Sequence, residues 1–211
     1  MKRIGIFGSS GHAREVGDIA VELGYQPIYV AQSQVDLDKW SFPEEVILES
    51  VVNRYIDIKY SIGIGSIADR RRLAKHYVGK LRFETLIHPS VSFGQRQRAA
   101  IEGCHGVVAC AGVRFTNNIQ VGHFTIFNLN ATISHDVIVE DFVTISPGAC
   151  ISGNVHLGSG SWVGAGAVIN QGNNTRKLYV GANTVIGSGS VVVKDCEPDA
   201  VYVGIPARRI K

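Results

Sequence analysis

The sequence predicts two folds in tandem: a small Rossmann-like parallel α/β domain over residues 1–88, then a parallel β-helix over residues 89–211. Three observations carry that expectation. The first half alternates short apolar strands with amphipathic helices, and the second half repeats aliphatic residues every six positions. The 24 glycines against 8% aromatics call for many tight turns, because glycine is costly inside ordinary helices and strands.

In the first half, Arg3 to Phe7 reads as a strand and Gly8-Ser9-Ser10-Gly11-His12 as a tight loop. Ala13 to Leu23 follows as a helix with Val16, Ile19, Ala20 and Leu23 on one face. Further strands are expected near Pro27 to Val30 and over Tyr60 to Ile64. Gly65-Ser66 turns the chain into a basic helix, Ile67 to Tyr77, and Phe83 to Ile87 closes the unit at His88-Pro89. This β-α-β order puts ligands at the carboxyl ends of the strands. Gln32 to Val46 is polar and has no usable pattern.

From about residue 103 the period is six. Ala109, Phe115, Val121, Phe127, Ile133, Val139, Ile145, Ile151, Leu157, Val163 and Ile169 keep one phase without a break. Neither a helix nor an isolated strand has that period, and four places after each comes a small or β-branched residue such as Val113, Ala131, Val137 or Ala149. A triangular coil explains both: each six-residue side points one aliphatic residue inward and fits a small one near the corner. Three sides make a turn, so residues eighteen apart stack. After Ile169 the phase resumes at Val180, a step of eleven, so five residues are inserted and Asn170 to Lys177 is expected to project as a polar loop.

Composition narrows the functional classes. A net charge of +3 from 21 basic and 18 acidic residues gives no cationic stripe for nucleic acid. The apolar run after Lys2-Arg3 stops at a glycine loop before a signal-peptide core is complete, and no segment approaches a membrane span. Cys104, Cys110, Cys150 and Cys196 have no CxxC spacing and read as reduced packing thiols. A cytoplasmic protein is expected.

The repeats Ile151-Ser152-Gly153-Asn154-Val155-His156, Leu157-Gly158-Ser159-Gly160-Ser161-Trp162 and Val163-Gly164-Ala165-Gly166-Ala167-Val168, with the ending Val203-Gly204-Ile205-Pro206-Ala207-Arg208-Arg209, resemble those of hexapeptide acyltransferases. The motifs Phe7-Gly8-Ser9-Ser10-Gly11-His12-Ala13, Ile64-Gly65-Ser66 and Leu86-Ile87-His88-Pro89-Ser90 are similar to those of the sialic acid O-acetyltransferase and bacillosamine N-acetyltransferase group. That resemblance implies a left-handed coil, a homotrimer, acetyl-CoA as acetyl donor and no metal. It implies an amino sugar linked to a nucleotide, UDP being the expectation, as acceptor for surface-glycan synthesis.

Acyl transfer needs a base for the attacking group and donors for the oxygen that gathers charge. His135 is the candidate base, because Ser134-His135-Asp136 falls at a corner and Asp136 can stabilise the imidazolium. The resemblance implies the same pair. Gly153, eighteen residues on, leaves a space without a side chain in which an acetyl thioester could lie. The resemblance also implies that Asn128 contacts the acceptor, that Ala165 and Ser188 touch the cofactor through main-chain atoms, and that Ser10, Gly11, His12 and Gly65 contact the nucleotide sugar. Thr144 stands where many relatives carry a second histidine near the acetyl group, and its hydroxyl is expected to serve there. Lys194, Arg208 and Arg209 are candidates for coenzyme A phosphates.

Alternatives are O-acetylation of a sialic acid or another sugar, a zinc-dependent β-helix hydrolyase, and a non-catalytic sugar-nucleotide-binding module. His105 and His123 are eighteen apart and stack, but no third zinc ligand accompanies them. Ala31-Gln32 replaces the acidic residue that ends the second strand of dinucleotide-binding units, which argues against a dinucleotide coenzyme.

Overall fold

A computed structural model describes residues 2–173 and 175–211. Asn174, inside the expected insertion, lies outside the described residues. The chain opens with β1 (Lys2–Phe7), α1 (Gly11–Glu22), β2 (Tyr25–Ala31), α2 (Gln34–Asp38) and β3 (Val46–Leu48). It continues with β4 (Lys59–Ile62), α3 (Ile67–Tyr77) and β5 (Arg82–Phe83). The five strands form a parallel sheet in the order β3-β2-β1-β4-β5. β1 lies in the middle, so the loops after β1 and β4 leave the same edge, where the strand order switches direction.

The segment that the sequence left unplaced, Gln32 to Val46, holds α2 and runs into β3 at its last residue. Ser33 caps α2, its hydroxyl accepting from the Asp36 amide at 3.2 Å, and β3 adds an edge strand beside β2. Phe83 to Ile87 is not one strand. Arg82–Phe83 completes the α/β sheet, whereas Leu86–Ile87 pairs with Val108–Ala109 as the first rung of the coil.

The coil has three parallel faces. The first runs from Leu86–Ile87 through Ile126–Phe127, Thr144–Ile145 and Trp162–Val163 to Val201–Val203, with Arg208–Arg209 added antiparallel. The second runs from Ser92–Phe93 through Thr132–Ile133 to Val191–Val192, and the third from Gln120–Val121 to Leu178–Val180. Ile126 pairs with Thr144 and Ile133 with Ile151, the eighteen-residue step that the sixfold period requires. Phe127, Ile133, Val139, Ile145, Ile151, Leu157, Val163 and Ile169 are buried in one column. Each such side chain contributes about 1.5–3 kcal/mol relative to exposure, and a lone rung could bury none of them. Val121, near the start of the column, is only half-buried.

Corners turn through left-handed residues, and one corner stacks Asn118, Asp136 and Asn154 at φ of 56°, 60° and 55°. Asparagine and aspartate tolerate this conformation better than other side chains with a Cβ. The α/β domain sits on the first face, where Ile4, Ile6, Ala13 and Val16 share a core with Leu86, Val108, Cys110 and Ile126. All four cysteines are free.

Candidate active site

The corner between the second and third faces holds the histidine–carboxylate pair. Nδ1 of His135 lies 2.7 Å from Oδ2 of Asp136, so the neighbouring carboxylate meets the ring directly. Nε2 makes no hydrogen bond among the described residues, and the His135 side chain is half exposed. Asn118, one rung below, donates from Nδ2 to Oδ1 of Asp136 at 2.6 Å. That bond, and then the bond with His135, hold the Asp136 carboxyl below the ordinary carboxylate range. The carboxylate therefore stays ionised beside the ring, orients Nδ1 and leaves Nε2 facing solvent as a proton acceptor.

Two features of this corner differ from expectation. The space above Gly153 is filled by the His135 ring itself: a Cβ on residue 153 would lie 2.5 Å from Cε1 and 2.6 Å from Nε2. The glycine thus seats the imidazole, and the open slot inferred for a thioester is not there. Beyond the pair, Lys177 at the end of the insertion donates from Nζ to the Asp136 carbonyl, which ties the insertion to the corner.

The Thr144 expectation is corrected. Thr144 lies on the first face, 3% exposed, and its Oγ1 accepts from Nη2 of Arg70 at 2.7 Å. Its hydroxyl is thus turned into the α/β domain, away from the corner of His135. Asn128 sits at the corner between the first and second faces, its Oδ1 accepting from the Leu129 amide at 2.7 Å. Ala165 and Ser188 are exposed at the same corner, two and three rungs further along. Arg208 is exposed in the closing strand. One chain therefore collects Asn128, Ala165 and Ser188 at one corner and His135 with Gly153 at another, a full side of the triangle apart.

At the sheet edge of the α/β domain, Gly8, Ser9 and Ser10 join Gln32, Asp36, Glu49, Asp69 and Arg72 around a cavity of about 180 Å³. Glu49 holds Arg72 by two bonds of 2.8 and 3.0 Å. Gly11 is exposed at the start of α1, and Gly65 lies in the loop after β4. Nδ1 of His12 meets Oε2 of Glu15 at 2.9 Å, while its Nε2 is buried with no partner among the described residues. Sequence reasoning missed Asn118, Glu49, Arg72 and Lys177. Asn118 was findable, since it precedes Asp136 by the stacking distance; Glu49 and Arg72 meet only through the tertiary fold.

Sequence reasoning also passed over a second histidine–carboxylate pair on the third face, where Nε2 of His156 lies 2.7 Å from Oε1 of Glu140. His105 and His123 do sit one above the other, ring centroids 5.0 Å apart and the planes tilted by 34°, with the His105 amide donating to Nδ1 of His123. Among the described residues no cluster of three or more His, Cys, Asp or Glu is placed to hold a metal ion, and no helix is long and apolar enough to cross a membrane.

Residues 3–77 match the family model of the PglD N-terminal domain. With the coil and its corner pair, this makes the chain similar to the hexapeptide-repeat sugar acyltransferases over its whole length. Among curated relatives it is similar to a GDP-perosamine N-acetyltransferase of Escherichia coli O157:H7, 29% identical over 223 residues that cover 100% of this chain and 97% of the relative. A galactoside O-acetyltransferase of Escherichia coli K12 is 32% identical over 117 residues, covering 46% of this chain and 55% of the relative. Among solved structures, WeeI from Acinetobacter baumannii AYE superposes with a TM-score of 0.85 at 24% identity, covering 100% of both chains. PerB from Caulobacter crescentus, in complex with CoA and GDP-perosamine, superposes with a TM-score of 0.83 at 21% identity, covering 100% of this chain and 98% of that one. These likenesses show the fold, and with it the left-handed coil.

Proposed function

We propose that this protein transfers the acetyl group of acetyl-CoA to the amine of a nucleotide-linked amino sugar, with His135 as general base. The observation that carries the reading is the His135–Asp136 pair at 2.7 Å, set at a coil corner with Nε2 open to solvent. The acceptor nitrogen attacks the thioester carbonyl, Nε2 takes the proton that the nitrogen loses, the C–N bond forms and the C–S bond breaks. The proton returns to the departing thiolate. Asp136 stabilises the imidazolium formed between these steps.

The acceptor's nucleotide is assigned to the cavity beside Gly8, Ser9 and Ser10. Ser10 and Gly11 lead into α1, whose first amides suit a phosphate. The buried, unpartnered Nε2 of His12 is a cost that a polar ligand atom would offset. UDP was the nucleotide expected from the sequence. The relative that spans the full chain is named for GDP-perosamine, which makes a GDP-linked 4-amino sugar an equal candidate.

The reading includes a homotrimer. Asn128, Ala165 and Ser188 lie at a different corner from His135, and a neighbouring chain set corner to corner would bring the two groups together. The same arrangement lets Arg208 reach coenzyme A phosphates.

The test is a panel of GDP-, UDP- and dTDP-linked 4-amino sugars, with a sialic acid as the O-acetyl alternative, followed by thiol release from acetyl-CoA. One amino-sugar nucleotide should turn over, and His135→Ala should lower kcat by about 10²–10⁴-fold with acetyl-CoA binding intact. Turnover of the sialic acid alone, or near-wild-type kcat in His135→Ala, would overturn the reading.

A further inference from the structure

Arg70 is the largest fully buried side chain among the described residues, 1% exposed. Its guanidinium has four oxygen acceptors, none of them a carboxylate. Nη1 donates to the carbonyls of Ile64 at 3.1 Å and Gly65 at 2.6 Å, both in the loop after β4. Nη2 donates to the carbonyl of Phe142 and to Oγ1 of Thr144, each at 2.7 Å, on the coil. Nε is buried without a partner. Burial pushes the Arg70 pKa down to about 10, so the ion is still charged at neutral pH.

A buried cation without an anionic partner is an expensive way to join two surfaces, and apolar side chains usually join them as well or better. What the guanidinium adds is geometry. Its planar fork binds two carbonyls of one domain with one nitrogen and two oxygens of the other with the second, which a lysine ammonium, a single compact donor point, cannot reproduce.

Its neighbours in sequence extend the connection. Arg71 donates to Oδ1 of Asn183 at 2.9 Å and to Oγ of Ser159 at 3.3 Å, again on the coil. Arg72 faces the other way, to Glu49, and lines the small cavity with Asp69. The helix α3 is thus fastened to the coil on one side and forms a wall of the nucleotide cavity on the other.

We propose that Arg70 is a positioning residue, whose fork fixes the Gly65 loop and α3 in register with the coil so that an acceptor held by the α/β domain presents its amine to the acyl-transfer corner. The inference rests on the proposed function for its kinetic half only. Arg70 touches neither reactant, so its loss is felt in the acceptor's parameters, not in those of acetyl-CoA.

Arg70→Lys keeps the charge and removes the fork. Backbone amide exchange in the peptide 63–67 should quicken in this variant while the coil strands keep their protection. The kcat/KM for the acceptor should fall about tenfold, the scale of one lost charge-assisted hydrogen bond, with the affinity for acetyl-CoA held. Should Arg70→Lys fail to fold, Thr144→Val removes one acceptor from the same nitrogen and is expected to change the same readouts in the same direction. Unaltered exchange at 63–67 in the folded variant overturns the proposal. So does faster exchange with an unchanged acceptor kcat/KM, or an equal loss of affinity for acetyl-CoA. If wild-type protein acetylates no sugar in the panel, the proposed function fails, and amide exchange still decides whether the clamp exists.

Discussion

Gly153→Ala should disable the histidine without unfolding the coil. The methyl group would stand 2.5 Å from Cε1 of His135, where non-bonded carbons prefer about 3.5 Å or more. The ring must therefore retreat by about 1 Å, and the bond that gives way is the 2.7 Å contact with Asp136. A displacement of about 1 Å in a reacting group costs roughly 10²-fold in rate, so kcat should fall about a hundredfold. The backbone at residue 153 is not left-handed, so alanine adds no torsional strain and the melting temperature should change little. The assay is thiol release at saturating acetyl-CoA and acceptor. Gly103→Ala is the control, since a methyl there meets nothing nearer than 3.5 Å. A folded Gly153→Ala protein with kcat within about threefold of wild type would refute the idea that this glycine seats the base.

Two further outcomes are expected. Asn118→Ala removes the main group that holds the Asp136 carboxyl low, so its titration midpoint should rise in a carbon-13 carboxyl titration. A depressed carboxyl stabilises the fold above its ordinary titration range and loses that contribution as pH falls through the folded value; acid unfolding of Asn118→Ala should therefore begin at a higher pH. An unmoved midpoint would remove Asn118 from the network. Burial pushes the Cys110 and Cys196 thiols up to about 12, so native alkylation near about pH 8 should leave both unmodified. Half-buried Cys150 should react before either of them, and peptide mapping reads the order.

The coil was legible because its period is a packing requirement. An inward aliphatic residue every six positions has no other economical explanation, and the phase break after Ile169 marked the insertion to the residue. The adjacency of His135 and Asp136 was legible because Ser134-His135-Asp136 falls at a turn of the sixfold period; the structure adds that Asp136 holds a left-handed position suited to aspartate and that Asn118 stands one stacking distance before it. What stayed hidden depends on contacts distant in sequence. Thr144 looked available because the sequence does not say which face the α/β domain covers, and Arg70 reaches it across 74 positions. β3 was invisible because three residues carry no periodicity, and its place is set by the exposed edge of β2.

Along the third face, Leu157 pairs with Val180, twenty-three residues on, and Val180 bridges to Cys196 after sixteen, yet the three stack as Ile126 and Thr144 do after eighteen. The coil registers rungs and not residues. Chain length can therefore change at a corner at the cost of local loop closure alone, which grows slowly with length, while a single deletion inside a rung would turn its side chains inside out until the next corner. New segments can enter such a molecule at its vertices without rewriting its core. Lys177 shows what one such arrival has become: a side chain that now grips the corner where the histidine stands.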